Sequence, residues 1–449
     1  MLLLERAFYL ILVLGTLVFV HEFGHFLAAK FFGVRVEIFS LGFGPRLAGF
    51  RRGGTDYRVA AIPLGGYVKM AGEYDEEARP DDPGLFQAKP RWQRLVVFFA
   101  GPAMNVLLAI VLWWGILVYG DVELDIPQGP PVVEEVRPDS PAAAAGIQPG
   151  DRILALGDTR LESYAQYGKE VLFRPGQEVE YLIEREGRQM RRSVRIAMDP
   201  LHGVGYDGIG VATSIIVRAV LEGSPAAVGG LEVGDRIAGI DGHAPASMES
   251  LIEYIQQRAG QELLFEIVRG DRRLEIPVVP ERVEEGRGQI GVSLGYPGRI
   301  VRYPPGAALM RALGRAGENV RLLLRTVSSL VRMEVGVGVL SGPLEIARIT
   351  QDQAQHGWRP LFGLLAFISI NLGIFNLLPI PVLDGGNILI LLVESSIRRD
   401  LAPQVKERVL QLGFVVLLTF AVTVIALDLR KAFVTRPQQA PVSAPESAE

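Results

Sequence analysis

The sequence contains no cysteine, and this absence excludes two kinds of structure. Disulfide bonds cannot form, and zinc sites built from cysteine thiolates are not available. The chain also lacks a strong excess of charge of either sign, because its formal net charge is −4 over 449 residues. A nucleic-acid-binding protein usually carries a clear basic excess, so we expect no nucleic acid partner.

Charge is almost missing from four long stretches of the sequence. They contain 23, 25, 23 and 19 residues, and Glu22 in the first stretch is their only acidic residue. About 20 apolar residues in a helix cross the hydrocarbon of a bilayer, which is roughly 30 Å thick. The fold class that this predicts is a polytopic α-helical membrane protein. Its four transmembrane helices are predicted at Ala7–Ala29, Leu95–Tyr119, Leu361–Leu383 and Val409–Leu427.

The distribution of lysine and arginine predicts the orientation of these helices. The first stretch lacks the basic leading region and the small-residue cleavage site of a signal peptide, so we expect it to be retained. Eleven basic residues lie between Lys30 and Arg94, and four between Arg398 and Arg408. Short basic loops stay in the cytoplasm. We therefore expect both loops on that side, and both termini and the long central segment outside.

The central segment repeats itself. The run "SPAAAAGIQPGDRI" from Ser140 returns as "SPAAVGGLEVGDRI" from Ser224, 84 residues later. Strands are predicted at Glu178–Arg185, Glu262–Arg269, Gly208–Thr213 and Gln289–Leu294, and a helix at Met248–Gln257. The pattern resembles tandem PDZ domains, so we expect two inserted PDZ-like α+β domains at residues 120–214 and 215–297. PDZ domains bind extended peptides by strand addition, although both copies could instead act as spacers without a ligand.

Two histidines and a glutamate interrupt the first apolar stretch. His21 and His25 are four residues apart, which places both imidazoles on one face of a helix. This is the spacing of two zinc ligands, with Glu22 beside them as a general base. The alternative is a pair of buried histidines with satisfied hydrogen bonds, but that explains neither the spacing nor a glutamate at membrane depth. We therefore expect a Zn²⁺ ion, which would repay the cost of these polar groups.

A third zinc ligand is predicted far along the chain, at Asp384. The third apolar stretch is interrupted by Pro379, Pro381 and two glycines, so its end cannot be a regular helix. Irregular backbone at membrane depth is tolerated where it lines a cavity. Both helices run inward, so Asp384 and the two histidines are expected at the same depth. In the alternative interpretation, Asp384 is only a turn residue before Gly385.

These motifs together resemble the site-2 protease family of intramembrane zinc metalloproteases. The resemblance covers most of the chain, and the two PDZ-like domains make it similar to the bacterial regulator-of-sigma-E branch. Further matching pieces are "LGFGP", "IPLGGYVKM", "FFAGPAMN" and "LSGPLEIA". One departure is Asn387, where family members often have histidine.

The resemblance implies a function and further site residues. His21, His25 and Asp384 would hold zinc, Glu22 would activate water, and Asn371 and Asn376 would contact the substrate backbone. Alternatively, the two asparagines join helices by hydrogen bonds. The substrates implied are transmembrane segments of single-pass proteins, such as an anti-sigma factor already shortened outside, in an envelope stress response. The location implied is the bacterial inner membrane, with the PDZ-like domains periplasmic and the active site near the cytoplasm.

The remaining segments give three smaller expectations. A Gly-rich loop at Leu41–Gly66 is expected to enter the cytoplasmic leaflet and to offer strand edges to a substrate. Residues 298–360 form a predicted juxtamembrane segment, amphipathic at Glu318–Met333. The tail at 434–449 is expected to be disordered.

Two other functions remain open at this point. One is a membrane zinc protease that removes surface proteins in quality control, and the other is a PDZ scaffold with a structural metal.

Overall fold

The chain forms two compact units. The computed structural model describes residues 2–73, 82–124, 129–198, 203–211, 215–242, 248–283, 286–340, 342–355 and 357–434. Of these, the membrane unit holds residues 2–121, 302–325 and 342–434, and the repeat unit holds residues 122–301 and 326–340.

Helices account for most of the membrane unit. Over the described residues they are α1 (Leu2–Phe31), α2 (Arg91–Tyr119), α3 (Pro141–Ala144), α4 (Tyr164–Leu172), α5 (Pro225–Gly229), α6 (Met248–Gln256), α7 (Pro305–Val331), α8 (Pro343–Gln355), α9 (Trp358–Asn376), α10 (Asp384–Ile397) and α11 (Pro403–Val434).

Strands occur in both units, although most of them belong to the repeat unit. In the described ranges they are β1 (Val36–Arg52), β2 (Thr55–Met70), β3 (Asp121–Leu124), β4 (Val133–Val136), β5 (Arg152–Leu156), β6 (Thr159–Arg160), β7 (Glu178–Arg185), β8 (Arg188–Arg195), β9 (Ala197–Met198), β10 (Gly205–Tyr206), β11 (Ile209–Val211), β12 (Ile215–Val220), β13 (Arg236–Ile240), β14 (Leu263–Arg269), β15 (Arg272–Val278), β16 (Glu281–Arg282), β17 (Gly288–Gln289), β18 (Val292–Gly295) and β19 (Gly298–Val301).

In the part of the chain that the structure describes, four helices are long and apolar enough to cross a membrane, one on each of the four predicted stretches. They lie at Phe8–Phe31, Arg91–Tyr119, Trp358–Asn376 and Gln404–Arg430. The third is shorter than the sequence predicted, because α9 ends at Asn376 and not at Leu383. Pro379 and Pro381 have no N–H to continue the helical hydrogen bonds, and Val382 has a positive φ of 86°. The chain therefore turns at this point and begins α10 at Asp384.

Helix α2 is at the centre of the membrane unit, packed against both α1 and α9. A Cβ added to Gly24 of α1 would overlap the carbonyl oxygen of Ala100, so the two backbones are in close contact. Small residues permit such approach between membrane helices. The first half of α7 also packs on α2 through three buried alanines, Ala308, Ala312 and Ala316. Helix α2 can therefore place side chains against the face of α1 that carries the two histidines.

Strands β1 and β2 form a small sheet beside α1. Residues 38–41 of β1 pair on one side with residues 66–69 of β2, and on the other side with residues 56–59. Residues 46–52 pair in turn with residues 55–60. The two long strands therefore fold back into four adjacent segments, in the order 66–70, 36–41, 55–60 and 46–52. The segment 66–70 lies at one edge, next to α1.

The repeat unit contains two domains with the same plan. The first repeat domain (residues 129–211) has the sheet β6-β5-β7-β8, the pair β11-β4 and helix α4. The second repeat domain (residues 215–295) has the sheet β15-β14-β13-β12-β18 and helix α6. Each has its own apolar core, with Tyr181 and Phe265 as the largest fully buried side chains. The internal repeat in the sequence thus corresponds to two separately packed domains.

Most predicted elements of the repeats are present, with small changes. Strand β7 has the predicted bounds, and β14 and α6 each differ by one residue at one end. The strand predicted at Gln289–Leu294 is instead two strands, β17 and β18, because Gly291 has a φ of 73° and interrupts the extended backbone. The strand predicted at Gly208–Thr213 is present as β11, and its last two residues lie outside the described ranges.

The two ends of the repeat unit are joined to each other. Strand β3, which follows α2, pairs with β19, which precedes α7. The two chain connections at these strands therefore lie side by side, and residues 326–340 are a further part of the repeat unit. At the other end of the chain, α11 continues to Val434, one residue into the predicted tail, and residues 435–449 lie outside the described ranges.

Candidate metal centre

His21 and His25 share one face of α1. Both residues are buried, each with 7% of its surface exposed. Their Nε2 atoms are 3.2 Å apart, as the spacing of four residues on a continuous helix requires. The helix is continuous here because the run contains no proline and is flanked by long apolar sequence on both sides.

Asp384 brings a carboxylate to the same point. It is the first residue of α10, directly after the turn that follows α9. Its Oδ2 atom is 3.1 Å from His21 Nε2, and its Oδ1 atom is 3.4 Å from His25 Nε2. Within the described part of the chain, these three residues are the group of histidine and carboxylate side chains arranged so that they could hold a metal ion.

The separations of the histidine nitrogens and the Asp384 oxygens fit zinc. Bonds of about 2.0–2.1 Å in a tetrahedral site place neighbouring donors about 3.3 Å apart. The two histidine Nε2 atoms are 3.2 Å apart, and each lies 3.1 or 3.4 Å from a different oxygen of the Asp384 carboxylate. Two imidazoles and one carboxylate are also a donor set found in catalytic zinc sites, which keep a fourth position open.

Glu22 lies beside these donors but is not one of them. It is half-buried, and its carboxylate faces the backbone N–H of Val68 on β2. A Cβ on Gly66 would come within 3.2 Å of its Cγ atom. The sheet edge at residues 66–70 therefore covers Glu22 and holds it next to the three donors, where it could exchange a proton with a bound water.

Helix α2 contacts the Nδ1 atoms of both histidine rings. The Nδ1 atom of His25 is 2.8 Å from the carbonyl oxygen of Val97. A ring nitrogen that faces a carbonyl oxygen carries the proton, which leaves the Nε2 lone pair free for a metal. The Nδ1 atom of His21 lies 3.2 Å from the side-chain amide of Asn105. Gly101 lies between these two residues, where a Cβ would overlap the ring of His25.

Sequence reasoning missed this contribution of α2. The run "FFAGPAMN" was noticed as a piece of the family pattern, but no role was predicted for Gly101 or Asn105. An amide in an uncharged membrane stretch was an available signal, because a buried polar side chain there needs a partner.

The two asparagines of α9 are placed differently. The Nδ2 atom of Asn376 is 3.4 Å from His21 Nε2, so this side chain is close to the three donors. Asn371 is half-buried five residues earlier, which on an α-helix is a rotation of about 140° away from Asn376. Among the described residues, its side chain has no hydrogen bond to any of the three donors.

Comparison with known proteins gives related sequences over nearly the whole chain. The sequence model of Peptidase family M50 matches residues 9–420. The regulator of sigma-E protease RseP of Escherichia coli K12 is 32% identical over 438 residues, which cover 91% of this chain and 94% of that protein. A Vibrio cholerae protein named as a candidate zinc metalloprotease is 30% identical and covers 94% of this chain and 97% of its own length.

A solved structure matches a small part of the chain. The crystal structure of the PDZ domain of an SdrC-like protein from Listeria monocytogenes is 28% identical, covering 18% of this chain and 88% of that domain with a TM-score of 0.18. The family match and the relatives extend across the membrane unit as well as the repeats. The chain is therefore a zinc metalloendopeptidase that belongs to peptidase family M50, the site-2 protease family.

Proposed function

We propose that this enzyme cleaves transmembrane segments of single-pass membrane proteins, with zinc held by His21, His25 and Asp384. The observation that carries the proposal is that one donor atom from each of these three residues lies within 4.8 Å of the others, and that His21 and His25 are in a helix long enough to span a bilayer. A protease that acts on surface proteins would not need its metal site within such a helix. The buried site therefore favours a substrate that is itself in the membrane.

Zinc and Glu22 have different roles in the proposed hydrolysis of the peptide bond. Zinc, when bound, supplies a Lewis acid that polarises a carbonyl group and lowers the pKa of a bound water. Glu22 takes a proton from the attacking water as the new C–O bond forms. It then delivers this proton to the amine that leaves when the C–N bond breaks.

Asn376 and Asn371 are proposed to contact the backbone of the substrate. A helix that is cut must first unwind, and its freed N–H and C=O groups need partners where water is scarce. The side chain of Asn376 supports this role for the first residue, since it lies 3.4 Å from His21 Nε2. Asn371 is assigned to a more distant part of the same substrate, because it lies on another face of α9.

The small sheet is proposed to hold the unwound substrate by strand addition. Its edge segment 66–70 pairs with β1 on one side only and lies against Glu22. An extended peptide added to this edge would pass next to the catalytic carboxylate. Apolar side chains at the far end of the sheet, including Leu47 and Phe50, are more than half exposed, which supports its insertion into the cytoplasmic leaflet.

The repeat domains are proposed to be PDZ domains outside the cytoplasmic membrane, with the metal site near the cytoplasm. The basis is the excess of basic residues in residues 30–94 and 398–408. In this cysteine-free chain, a cysteine at Gly150 should react with an impermeant thiol reagent in intact cells. Reaction at Arg51 in place of Gly150 would invert the orientation.

The biological role we propose is regulated proteolysis in an envelope stress response of the inner membrane. Its basis is the similarity to relatives named regulators of sigma-E. The substrate would be an anti-sigma factor whose external part has already been removed. Accumulation of such a truncated fragment in cells that lack this protein is the expected sign.

Two substitutions test the chemistry. Glu22→Gln removes the base but no ligand, so it should retain about one zinc per chain and lose cleavage of a short single-pass substrate. Asp384→Ala should lose both zinc and cleavage. Glu407→Gln, at an exposed acid on α11, is the matched control and should keep both.

The outcomes separate the assigned roles. Full zinc content in Asp384→Ala would remove this residue from the ligand set. Appreciable cleavage by Glu22→Gln would reject its role as the base.

A further inference from the structure

Asn105, at the centre of α2, has a buried side-chain oxygen without a hydrogen-bond partner. Its side chain is fully buried, and its Nδ2 atom is 3.2 Å from Nδ1 of His21. Its Oδ1 atom is also buried and has no hydrogen-bond partner. A buried amide oxygen without a partner costs about 1–3 kcal/mol, and more where no water is near.

The chemistry of His21 decides which amide atom should face it. The Nε2 atom of His21 points to Asp384 and His25, so this is the nitrogen that would bind zinc. A neutral imidazole that binds metal through Nε2 carries its proton on Nδ1. That N–H is a donor, and it would face the Nδ2 group, which is also a donor. Two donors in this position repel each other.

Rotation of the amide by 180° replaces the contact between two donors by a hydrogen bond. The oxygen and the nitrogen of an asparagine side chain have nearly the same shape, so the amide fits in either orientation. After rotation, Oδ1 accepts the Nδ1–H of His21, and the buried oxygen gains the partner it lacked. The pair then matches His25, whose Nδ1 faces the carbonyl oxygen of Val97 on the same helix.

We propose that Asn105 is a positioning residue for zinc, which fixes the ring and the tautomer of His21 by accepting its Nδ1–H. The inference rests on the proposed ligand set and adds a partner outside it. A separate hydrogen bond joins the main chain of Asn105 to α9, from Ser369 Oγ to the carbonyl oxygen at 2.8 Å, and it does not involve the side-chain amide. Helix α2 thus provides the second hydrogen bond for both histidine ligands.

The test compares two substitutions of similar size in the full-length protein in detergent. Asn105→Leu removes the acceptor, and Asn105→Asp keeps an oxygen at the same place. Loss of such an outer partner lowers metal affinity by about 10- to 100-fold. We expect this loss for the leucine variant in zinc competition against a chelator, and affinity within about 3-fold of wild type for the aspartate variant.

A second measurement does not depend on activity. Co²⁺ substituted for zinc reports the ligand geometry by its visible absorption, and the leucine variant should change this spectrum while the aspartate variant preserves it. Ser369→Ala is the control for general loosening of α2, and it should leave both zinc affinity and spectrum unchanged. Thermal unfolding of the chelator-treated variants shows whether each has folded.

The results test the role of Asn105 separately from the zinc ligand set. If His21→Ala loses zinc but a folded Asn105→Leu binds it as tightly as wild type, the role of Asn105 is wrong and the ligand set stands. If Ser369→Ala weakens zinc as much as Asn105→Leu, or if Asn105→Asp fails to rescue, packing and not the acceptor is responsible. If His21→Ala keeps its zinc, the proposed ligand set fails, and the role of Asn105 fails with it.

Discussion

Gly101 shows how little space separates α2 from the metal site. A Cβ at this position would overlap the Nε2 end of the His25 ring, so the helices can approach only because the residue has no side chain. Gly115 on the same helix has nothing within 4 Å of an added Cβ. Both positions are helical, and their difference lies in the neighbour and not in the backbone.

We predict that Gly101→Ala displaces His25 and lowers zinc content and cleavage together. Zinc affinity should fall at least 10-fold, the lower end of the cost of disturbing an outer partner of a metal site. Gly115→Ala is the matched control, and metal analysis of the two purified variants is the measurement. Equal zinc content in both variants would show that the ring has room to move.

A buried carboxylate that is hydrogen-bonded to two tyrosines distinguishes the interior of the first repeat domain from that of the second. Asp207 accepts hydrogen bonds from the hydroxyl groups of Tyr167 and Tyr181, at 2.6 and 2.7 Å. The residues 84 positions after the two tyrosines are Leu251 and Phe265, which belong to an apolar core. Burial raises the pKa of Asp207 above its ordinary value of 3.8, although the two tyrosine hydrogen bonds oppose this shift.

This pKa predicts that the first repeat domain is less stable at neutral than at acidic pH. A folded-state pKa above the unfolded value means that the folded domain binds more protons between the two values. The stabilisation is complete below about 3.8 and is lost as the pH rises through the folded-state pKa. Asp207→Asn should remove this dependence.

Hydrogen exchange of β7 in the full-length protein measures this effect, as protection factors corrected for intrinsic rates. The second repeat domain is the internal comparison. Its buried carboxylate is Asp235, and although burial raises the pKa of this group, hydrogen bonds from Arg269 hold it below its ordinary value. Protection of wild-type β7 that does not fall with rising pH would contradict the prediction.

Single residues of the site differ in how far the sequence predicts them. The local spacing of His21, Glu22 and His25 is sufficient for a hypothesis, and Asp384 follows from a broken span at matching depth. Gly101 and Asn105 do not follow, because their roles depend on the distance between two helices. Asn371 was predicted with Asn376, but the structure brings only Asn376 near the donors.

At the scale of elements, a buried ion pair links α10 to α11. Glu394 is fully buried and accepts hydrogen bonds from Lys406 Nζ at 2.6 Å and from the backbone N–H of Leu401 at 2.9 Å. The lysine side chain is one-third exposed, so it is only partly removed from water. Because α10 begins with Asp384, this pair helps to fix the helix that carries a proposed ligand.

We predict that Lys406→Met destabilises the membrane unit by about 3 kcal/mol, the lower end for breaking a buried pair, since the lysine is partly solvated. The double variant Glu394→Met/Lys406→Met should recover most of this loss, because it leaves no buried charge. Thermal unfolding in detergent compares the three proteins. A single variant as stable as wild type would show that the pair contributes little.

Elements with simple periodicity were predictable, and the small sheet was not. Alternation of apolar residues predicts β7, and two long apolar runs predict α1 and α2. Strand β1 pairs with two segments of β2 at once, which depends on where the chain folds back and not on any local pattern. The sequence therefore predicted a hairpin-like loop, while the structure has four adjacent segments.

At the scale of the whole molecule, substrate selection is expected to depend on the repeat domains. None of the residues proposed for the site is assigned to a side chain of the substrate, so the site itself would not define a sequence. If the domains lie outside, they stand in the path of a substrate with a large external part. Exclusion by bulk requires no specific contacts, so it operates whether or not either domain binds a peptide.

We predict that deletion of residues 125–297, between β3 and β19, permits cleavage of substrates with intact external domains. The deletion removes no part of the membrane unit, so zinc content and cleavage of trimmed substrates should remain. Helix-stabilising replacements in the substrate should slow cleavage in both forms, because unwinding becomes more costly. A zinc-loaded deletion variant that still rejects untrimmed substrates would place the filter in the membrane unit.

The pairing of β3 with β19 has a consequence for the history of the protein. Two chain ends that already lie side by side form the kind of junction at which a gene can gain or lose a whole domain without disturbing its host. Duplication of one repeat there would lengthen the inserted segment and leave the ends of α2 and α7 where they are. The catalytic helices and the repeat domains can therefore have diverged separately, on either side of this pair of strands.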